Sequence, residues 1–157
     1  MPKANEEFVE KNYADAEANY RISKSKFPNR TVAVYNLGNT IYRQNNFSES
    51  RGFYEKALKK VKTRSQKHKA FHNLGNVLMK EKEYAQAVEA FKNALRNNPD
   101  DEESRYNLAL AKKMAKDNPP KDDKKDNKKD DKQNDKKDDK KDNKQDDKKK
   151  DDKKDDK

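Results

Sequence analysis

The chain has 157 residues, 45% of them charged, and a formal net charge of +10. It has no cysteine, which excludes disulfides and thiolate chemistry, and no apolar run near the ~20 residues that a membrane-spanning helix needs. Residues 121–157 consist of 17 Lys, 15 Asp, 3 Asn and 2 Gln. Such a segment cannot bury apolar surface to offset the entropy of ordering. We therefore predict a folded domain over residues 1–117 and a disordered, Lys/Asp-rich low-complexity tail over residues 118–157.

The folded part shows helical periodicity of its apolar residues and no strand alternation. In chain order, the predicted helices span residues 1–11, 13–26, 31–44, 47–61, 66–80, 84–97 and 102–116. The second unit carries three extra residues and lacks the proline, and we expect its second helix, residues 47–61, to be about one turn longer than its counterparts. The last helix carries the polar outer face of a terminal cap, formed by Arg105, Lys112, Lys113 and Lys116.

A short motif is written three times. Tyr-Asn-Leu-Gly-Asn at residues 35–39 recurs as His-Asn-Leu-Gly-Asn at 72–76 and, decayed, as Tyr-Asn-Leu-Ala-Leu at 106–110. The copies lie 37 and 34 residues apart, a spacing typical of a stacked structural unit rather than of a catalytic motif. Aligning the copies predicts which residues pack the helices and end the units: Leu37, Gly38, Leu74, Gly75, Ala87, Pro28 and Pro99.

This pattern resembles the tetratricopeptide repeat over roughly residues 4–116. The resemblance implies an all-α solenoid of about three helix pairs, with the first pair truncated and a capping helix at the C-terminal end. We accordingly expect that a segment before residue 1 has been removed or truncated. The resemblance also implies a non-enzymatic scaffold or adaptor that binds a partner protein or peptide.

The first helix of each unit has a second face, which points away from Leu37 and Leu74. Asparagine is unfavourable inside helices because its amide competes for the backbone, and a row of amides can hydrogen-bond a peptide backbone. We therefore favour a peptide groove over residues that are merely typical of the repeat. We expect Tyr35, His72 and Tyr106 in one row and Asn39 and Asn76 in another. The predicted groove residues are Tyr35, Asn39, Tyr42, Arg43, Lys69, His72, Asn76, Met79, Lys80 and Tyr106.

Other functions have weaker support in the sequence. No glycine-rich phosphate loop and no nucleophile with a base at recognisable spacing is present, so we predict no catalytic residue and no cofactor. His68 and His72, at i and i+4, could present two nitrogens to a metal, but no third ligand accompanies them and we predict no metal site. The alternative function is a basic polyanion or nucleic-acid binder through the stretch from Lys59 to Lys69, which lacks interleaved aromatics for base stacking.

One variant of the family, found in co-chaperones, holds a partner's C-terminal carboxylate with lysine and asparagine. Asn5, Asn36 and Lys69 match that pattern, but Asn73 and Met1 stand where basic residues are expected. We therefore do not adopt the carboxylate reading for this chain.

The repeat wording and the charged tail together are similar to the Bat-type aerotolerance proteins of bacteria. These are encoded beside von Willebrand factor A-domain membrane proteins and a MoxR-type ATPase. The resemblance implies a location in the bacterial envelope or periplasm and a von Willebrand factor A-domain partner, without direct membrane insertion. A cytoplasmic location is the alternative.

Overall fold

The computed structural model describes residues 1–120, so the predicted tail from residue 121 onward lies outside the described residues. Over the described range the chain forms seven helices and no strand, and each helix packs against the next in sequence. The helices are α1 (Pro2–Val9), α2 (Tyr13–Lys26), α3 (Thr31–Arg43), α4 (Phe47–Leu58), α5 (Arg64–Lys80), α6 (Tyr84–Asn97) and α7 (Glu102–Asp117). The predicted all-α solenoid of helix pairs with a terminal helix is confirmed. None of these helices is long and apolar enough to cross a membrane.

The glycines of the repeated motif lie where paired helices touch. A methyl group placed on Gly38 would stand 2.7 Å from the Tyr54 ring, and one on Gly75 would stand 2.6 Å from the Phe91 ring. Only glycine lets α3 approach α4, and α5 approach α6, this closely. Ser50 adds a buried hydrogen bond of 2.8 Å from its hydroxyl to the carbonyl of Gly38. The predicted packing role of these residues follows from this contact.

The three extra residues lengthen a different helix from the one we predicted. The second helix of that unit, α4, has 12 residues, fewer than the 14 of α2 and of α6. Instead α5 begins early and has 17 residues, against 13 in α3. Thr63 caps the new start by accepting the Gln66 backbone N–H at 3.2 Å, and Arg64 donates to the Arg96 carbonyl at 2.7 Å. This capping and anchoring account for the extra turn on α5.

The two helices of each unit are joined by the same tight turn. Lys11, Asn45 and Lys82 adopt left-handed backbone conformations, with φ near +60°. After α5, the Lys82 N–H donates to the Met79 carbonyl at 3.2 Å and the Glu83 N–H to the Leu78 carbonyl at 2.9 Å. This pair of bonds is a Schellman motif, which usually places glycine or asparagine at the left-handed position. A lysine there holds a conformation that is unfavourable for a residue with a Cβ atom.

We expect Lys82→Gly to stabilise the fold by about 0.5–1 kcal/mol, because glycine adopts this conformation without steric cost. The control is Lys113→Gly, an exposed lysine in the interior of α7, which should destabilise by about 1 kcal/mol through lost helix propensity. Urea unfolding followed by circular dichroism measures both variants. Equal destabilisation by the two changes would contradict the account of this turn.

The terminal helix α7 shows the polar outer face expected of a cap. Arg105, Lys112, Lys113 and Lys116 are all exposed. Two of them stand where the preceding unit has apolar residues on α5, since Arg105 and Lys112 lie 34 residues after Phe71 and Leu78. Within residues 1–120 no helix follows α7, and it carries charge where an internal helix carries apolar side chains.

Candidate functional site

A cavity of about 390 Å³ lies along the first helices of the units, α3, α5 and α7. We call it the amide groove, because its wall is rich in asparagine. It contains five of the ten residues predicted for the groove, namely Asn39, Tyr42, Arg43, His72 and Asn76. Its full lining is Phe8, Asn39, Tyr42, Arg43, Tyr54, His72, Asn73, Asn76 and Glu103.

Asn39 is held in one orientation by two hydrogen bonds to its side-chain oxygen. The Tyr54 hydroxyl donates to Asn39 Oδ1 at 2.6 Å, and Asn73 Nδ2 donates to the same atom at 2.9 Å. Burial raises the pKa of Tyr54, so its hydroxyl remains a donor at neutral pH. Because Oδ1 is occupied, the NH₂ group of Asn39 is the part of the amide left for a ligand.

The bond from Asn73 to Asn39 is one rung of a regular series. Asn107 Nδ2 donates to Asn76 Oδ1 at 3.2 Å, and Asn107 stands 34 residues after Asn73. In both rungs the second asparagine of one motif accepts from the first asparagine of the next motif. We call these two bonds the amide ladder. The asparagines of the repeated Asn-Leu-Gly-Asn motif therefore join successive units on the groove side. The glycine of the motif packs the paired helices on the opposite side.

His72 is oriented by a chain of hydrogen bonds from α7. The Ser104 hydroxyl donates to Asp101 Oδ2 at 2.5 Å. This bond lowers the pKa of Asp101 below its usual value, although partial burial opposes the shift. The Ser104 backbone N–H and the charges of His68 and His72 lower it further. The ionised carboxylate can only accept, so Ser104 Oγ, at 2.6 Å, must accept from His72 Nδ1. His72 Nε2 then faces Glu103, with 3.5 Å to Oε1, on the rim of the groove.

A second, smaller cavity of about 280 Å³ lies beside the amide groove between α3 and α5. It contains Tyr35 and Lys69, two further residues predicted for the groove, together with Asn36 and Gln66. Asn73 separates the two cavities, because its NH₂ group donates both to Asn39 and, at 2.7 Å, to the Tyr35 hydroxyl.

The remaining predicted groove residues lie elsewhere. Met79 packs against the core formed with Leu78 and Phe91. Lys80 is exposed at the end of α5, and Tyr106 is 70% exposed and does not line either cavity. Of the expected row, Tyr35 lines the smaller cavity, His72 lines the amide groove and Tyr106 lines neither.

Four lining residues were missed by sequence reasoning: Phe8, Tyr54, Asn73 and Glu103. Asn73 had a signal in the sequence, since it repeats Asn36 at the first position of the motif. Phe8 and Glu103 come from the two ends of the array and carry no signal outside the folded arrangement.

Comparison with known families decides the identity of the array. Two models described as tetratricopeptide repeat match the chain, one over residues 2–65 and one over residues 68–101. The chain is a tetratricopeptide repeat protein. Comparison of this tetratricopeptide sequence with curated proteins gives no match.

Solved tetratricopeptide domains share the fold. The first such domain of Spaghetti (RPAP3), bound to the HSP90 peptide SRMEEVD, has a TM-score of 0.66 at 18% identity and covers 71% of this chain and 86% of its own. The second domain of human RPAP3, in complex with the HSP70 peptide SGPTIEEVD, has a TM-score of 0.65 at 17% identity and covers 71% of this chain and 90% of its own. The Sgt2 domain from Aspergillus fumigatus has a TM-score of 0.67 at 19% identity and covers 78% of this chain and 83% of its own.

The histidine pair of this tetratricopeptide array is engaged by protein groups. His68 Nδ1 lies 3.0 Å from the Ala94 carbonyl oxygen, and His68 Nε2 lies 3.3 Å from Asp101 Oδ2. Among residues 1–120, no group of three or more His, Cys, Asp or Glu side chains is placed to hold a metal ion.

The basic stretch from Lys59 to Lys69 does not form one surface. Lys60 donates to the Pro28 carbonyl at 3.3 Å, Arg64 donates to the Arg96 carbonyl, and Lys69 lines the smaller cavity. These cations point to three separate places: the loop between α2 and α3, the last turn of α6, and the smaller cavity.

Proposed function

We propose that this protein is a non-enzymatic adaptor that binds an extended segment of a partner protein in the amide groove. The proposal rests on which atoms of the groove asparagines already have hydrogen-bond partners. Asn39 Oδ1 accepts two hydrogen bonds and Asn76 Oδ1 accepts one, while neither NH₂ group donates a hydrogen bond of 3.5 Å or less to a described residue. The Asn39 NH₂ group lies near the Tyr35 hydroxyl. Two fixed donors in a row fit the carbonyl groups of a peptide backbone.

The rest of the groove supports a peptide of mixed character. Tyr42 supplies an aromatic surface, and the two fixed charges, Arg43 and Glu103, are of opposite sign. His72 Nε2 lies at the rim beside Glu103. The groove thus offers amide donors and aromatic contact between charges of opposite sign, rather than a field of one sign.

We infer that the ligand is an internal segment rather than an acidic C-terminus. The RPAP3 domains were solved with peptides that end in Glu-Glu-Val-Asp. In this chain, both hydrogens of the Asn73 amide are already donated, one to Tyr35 and one to Asn39. Asn73 therefore has no donor left for a carboxylate. Because the groove has charges of both signs, it favours a ligand that is recognised through its peptide backbone.

We further propose that the partner belongs to a bacterial envelope assembly that includes a von Willebrand factor A-domain membrane protein. The support is the similarity of the repeat wording and the Lys/Asp-rich tail to the Bat-type proteins. Expression of the full chain in a bacterium with such a gene cluster, followed by crosslinking and fractionation, tests both location and partner. Recovery only in the cytoplasm, with no crosslink to an envelope protein, would contradict this proposal.

Peptides selected from a random display library on the full chain provide the probe for the groove. We expect Asn76→Ala to weaken their binding about fivefold, since one hydrogen bond of roughly 1 kcal/mol is lost. Calorimetric titration at two salt concentrations measures the effect. The control replaces Lys59, Lys60 and Lys62 with glutamine, which should leave binding unchanged. Loss of binding in the lysine variant but not in Asn76→Ala would favour the polyanion alternative.

A further inference from the structure

The opposite side of α5 carries a cavity that the proposed function does not use. It has a volume of about 400 Å³ and lies between α4 and α6, with Phe71, Leu74 and Leu78 of α5 among its lining. These three residues recur at helical spacing and lie on the face of α5 turned away from Asn76. We call this cavity the α4–α6 cleft. Ala90 of α6 lines it.

The same cleft, one unit earlier, is filled by the chain itself. Val34, Leu37 and Ile41 stand 37 residues before Phe71, Leu74 and Leu78, and Phe53 packs in one core cluster with them. Phe53 is 6% exposed, and the three residues beneath it are at most 3% exposed.

The α4–α6 cleft is open because its aromatic ring is missing. Ala90 stands 37 residues after Phe53, at the equivalent position of α6. Without a ring above them, Phe71 and Leu74 remain partly exposed, whereas their counterparts Val34 and Leu37 are buried. Leu78 and Ala90 are themselves buried, at 3% and 4% exposed, and Phe71 replaces the smaller Val34. The α4–α6 cleft therefore leaves parts of Phe71 and Leu74 uncovered where Phe53 covers the earlier unit.

The rims of the two clefts differ in charge. In the filled cleft, Arg21, Lys24 and Lys56 lie over the Phe53 ring, 5.3–5.6 Å from its centroid. In the open cleft, Glu55 takes the place of Arg21, and Glu89 adds a second carboxylate.

Both carboxylates have only intrahelical partners on the surface. Arg51 donates to Glu55 at 3.0 Å, and Lys92 donates to Glu89 at 3.3 Å. Exposed pairs of this kind are weak. Each carboxylate keeps one oxygen that makes no hydrogen bond within residues 1–120, so the open rim can accept a cation of a partner.

We propose that the α4–α6 cleft is a second docking site, which takes a phenylalanine side chain flanked by lysine or arginine from a partner protein. The incoming ring lies on the uncovered parts of Phe71 and Leu74, beside Ala90. The adjacent cation pairs with Glu55 or Glu89. This site is separate from the amide groove, so one chain holds two partner segments on opposite faces of α5.

The test supplies the missing ring within the chain. The probe is the peptide acetyl-Gly-Lys-Phe-Lys-Gly-amide, titrated against the full-length protein with methyl and aromatic NMR signals of Phe71, Leu74 and Leu78 as the readout. We expect binding in the wild type, at least tenfold weaker binding in Ala90→Phe, and no effect of Ala90→Phe on peptides selected for the amide groove. A control peptide with alanine in place of phenylalanine should bind at least tenfold more weakly to the wild type.

A second variant keeps the test decisive if Ala90→Phe fails to fold. The double variant Glu55→Lys/Glu89→Lys changes two exposed residues and reverses the charge of the rim. We expect this variant to bind a peptide with glutamates beside the phenylalanine more tightly than the peptide with lysines. Equal affinity for the phenylalanine and alanine peptides, unchanged binding in a folded Ala90→Phe protein, or signal changes confined to the amide groove would each overturn the proposal.

Discussion

Gly75→Leu is expected to destabilise the array by about 3 kcal/mol, at the upper end of the range for overpacking. Even a single methyl on Gly75 would stand 2.6 Å from Phe91 Cε1 and 2.7 Å from Cζ. Phe91 is fully buried and cannot move aside without displacing α6 from α5. Thermal unfolding followed by circular dichroism should show a midpoint lowered by roughly 10 °C or more.

The matched control uses the glycine that has room. A Cβ atom on Gly52 would meet nothing within 4 Å. Gly52→Leu should therefore gain up to about 1 kcal/mol from helix propensity alone. If both variants lose stability to the same extent, close helix approach is not the reason for the glycine at position 75.

Asn39→Ala and Asn76→Ala should differ strongly, although the two residues hold the same place in the repeat. Asn39 accepts the hydroxyl of Tyr54, a residue that is 1% exposed. Removing the acceptor leaves that buried hydroxyl without a partner, at a cost of about 1–3 kcal/mol. The equivalent residue beside Asn76 is Phe91, which has no hydroxyl, so Asn76→Ala should change stability by no more than about 0.5 kcal/mol.

A second substitution isolates the cause. Tyr54→Phe removes the hydroxyl that Asn39 satisfies and makes this unit resemble the next. In the Tyr54→Phe background, Asn39→Ala should cost much less than in the wild type, and a double-mutant cycle from urea unfolding measures the difference. Additive costs would show that Asn39 stabilises the fold by another route.

The repeat made most of the fold predictable from the sequence. Gly38 and Gly75, with the aromatic residues aligned behind them, indicated paired helices, and six helix positions followed from the alignment to within a few residues. The prediction was wrong where the repeat is interrupted. Extra residues lengthen whichever helix finds a cap and an anchor, and the Arg96 carbonyl that anchors Arg64 belongs to the last turn of α6, which is distant in sequence.

The candidate site was predictable only in part, for a related reason. Helical spacing placed Asn39 and Asn76 on one face, but it could not tell which half of each amide is free. That depends on Asn73 and Asn107, which reach back from the following unit. Spacing also put Met79 in the groove, whereas it lines neither cavity beside α5 and packs, partly buried, against the core of Leu78 and Phe91.

The amide ladder has a mechanical consequence. Its rungs tie α3 to α5 and α5 to α7 through Asn39 and Asn76, the side chains proposed to bind the peptide. A peptide bonded to both, as we propose, would add a brace across units that are already tied at that edge. Filling the groove would then narrow the range of bending between neighbouring repeats and hold the two ends of the array at a more constant separation.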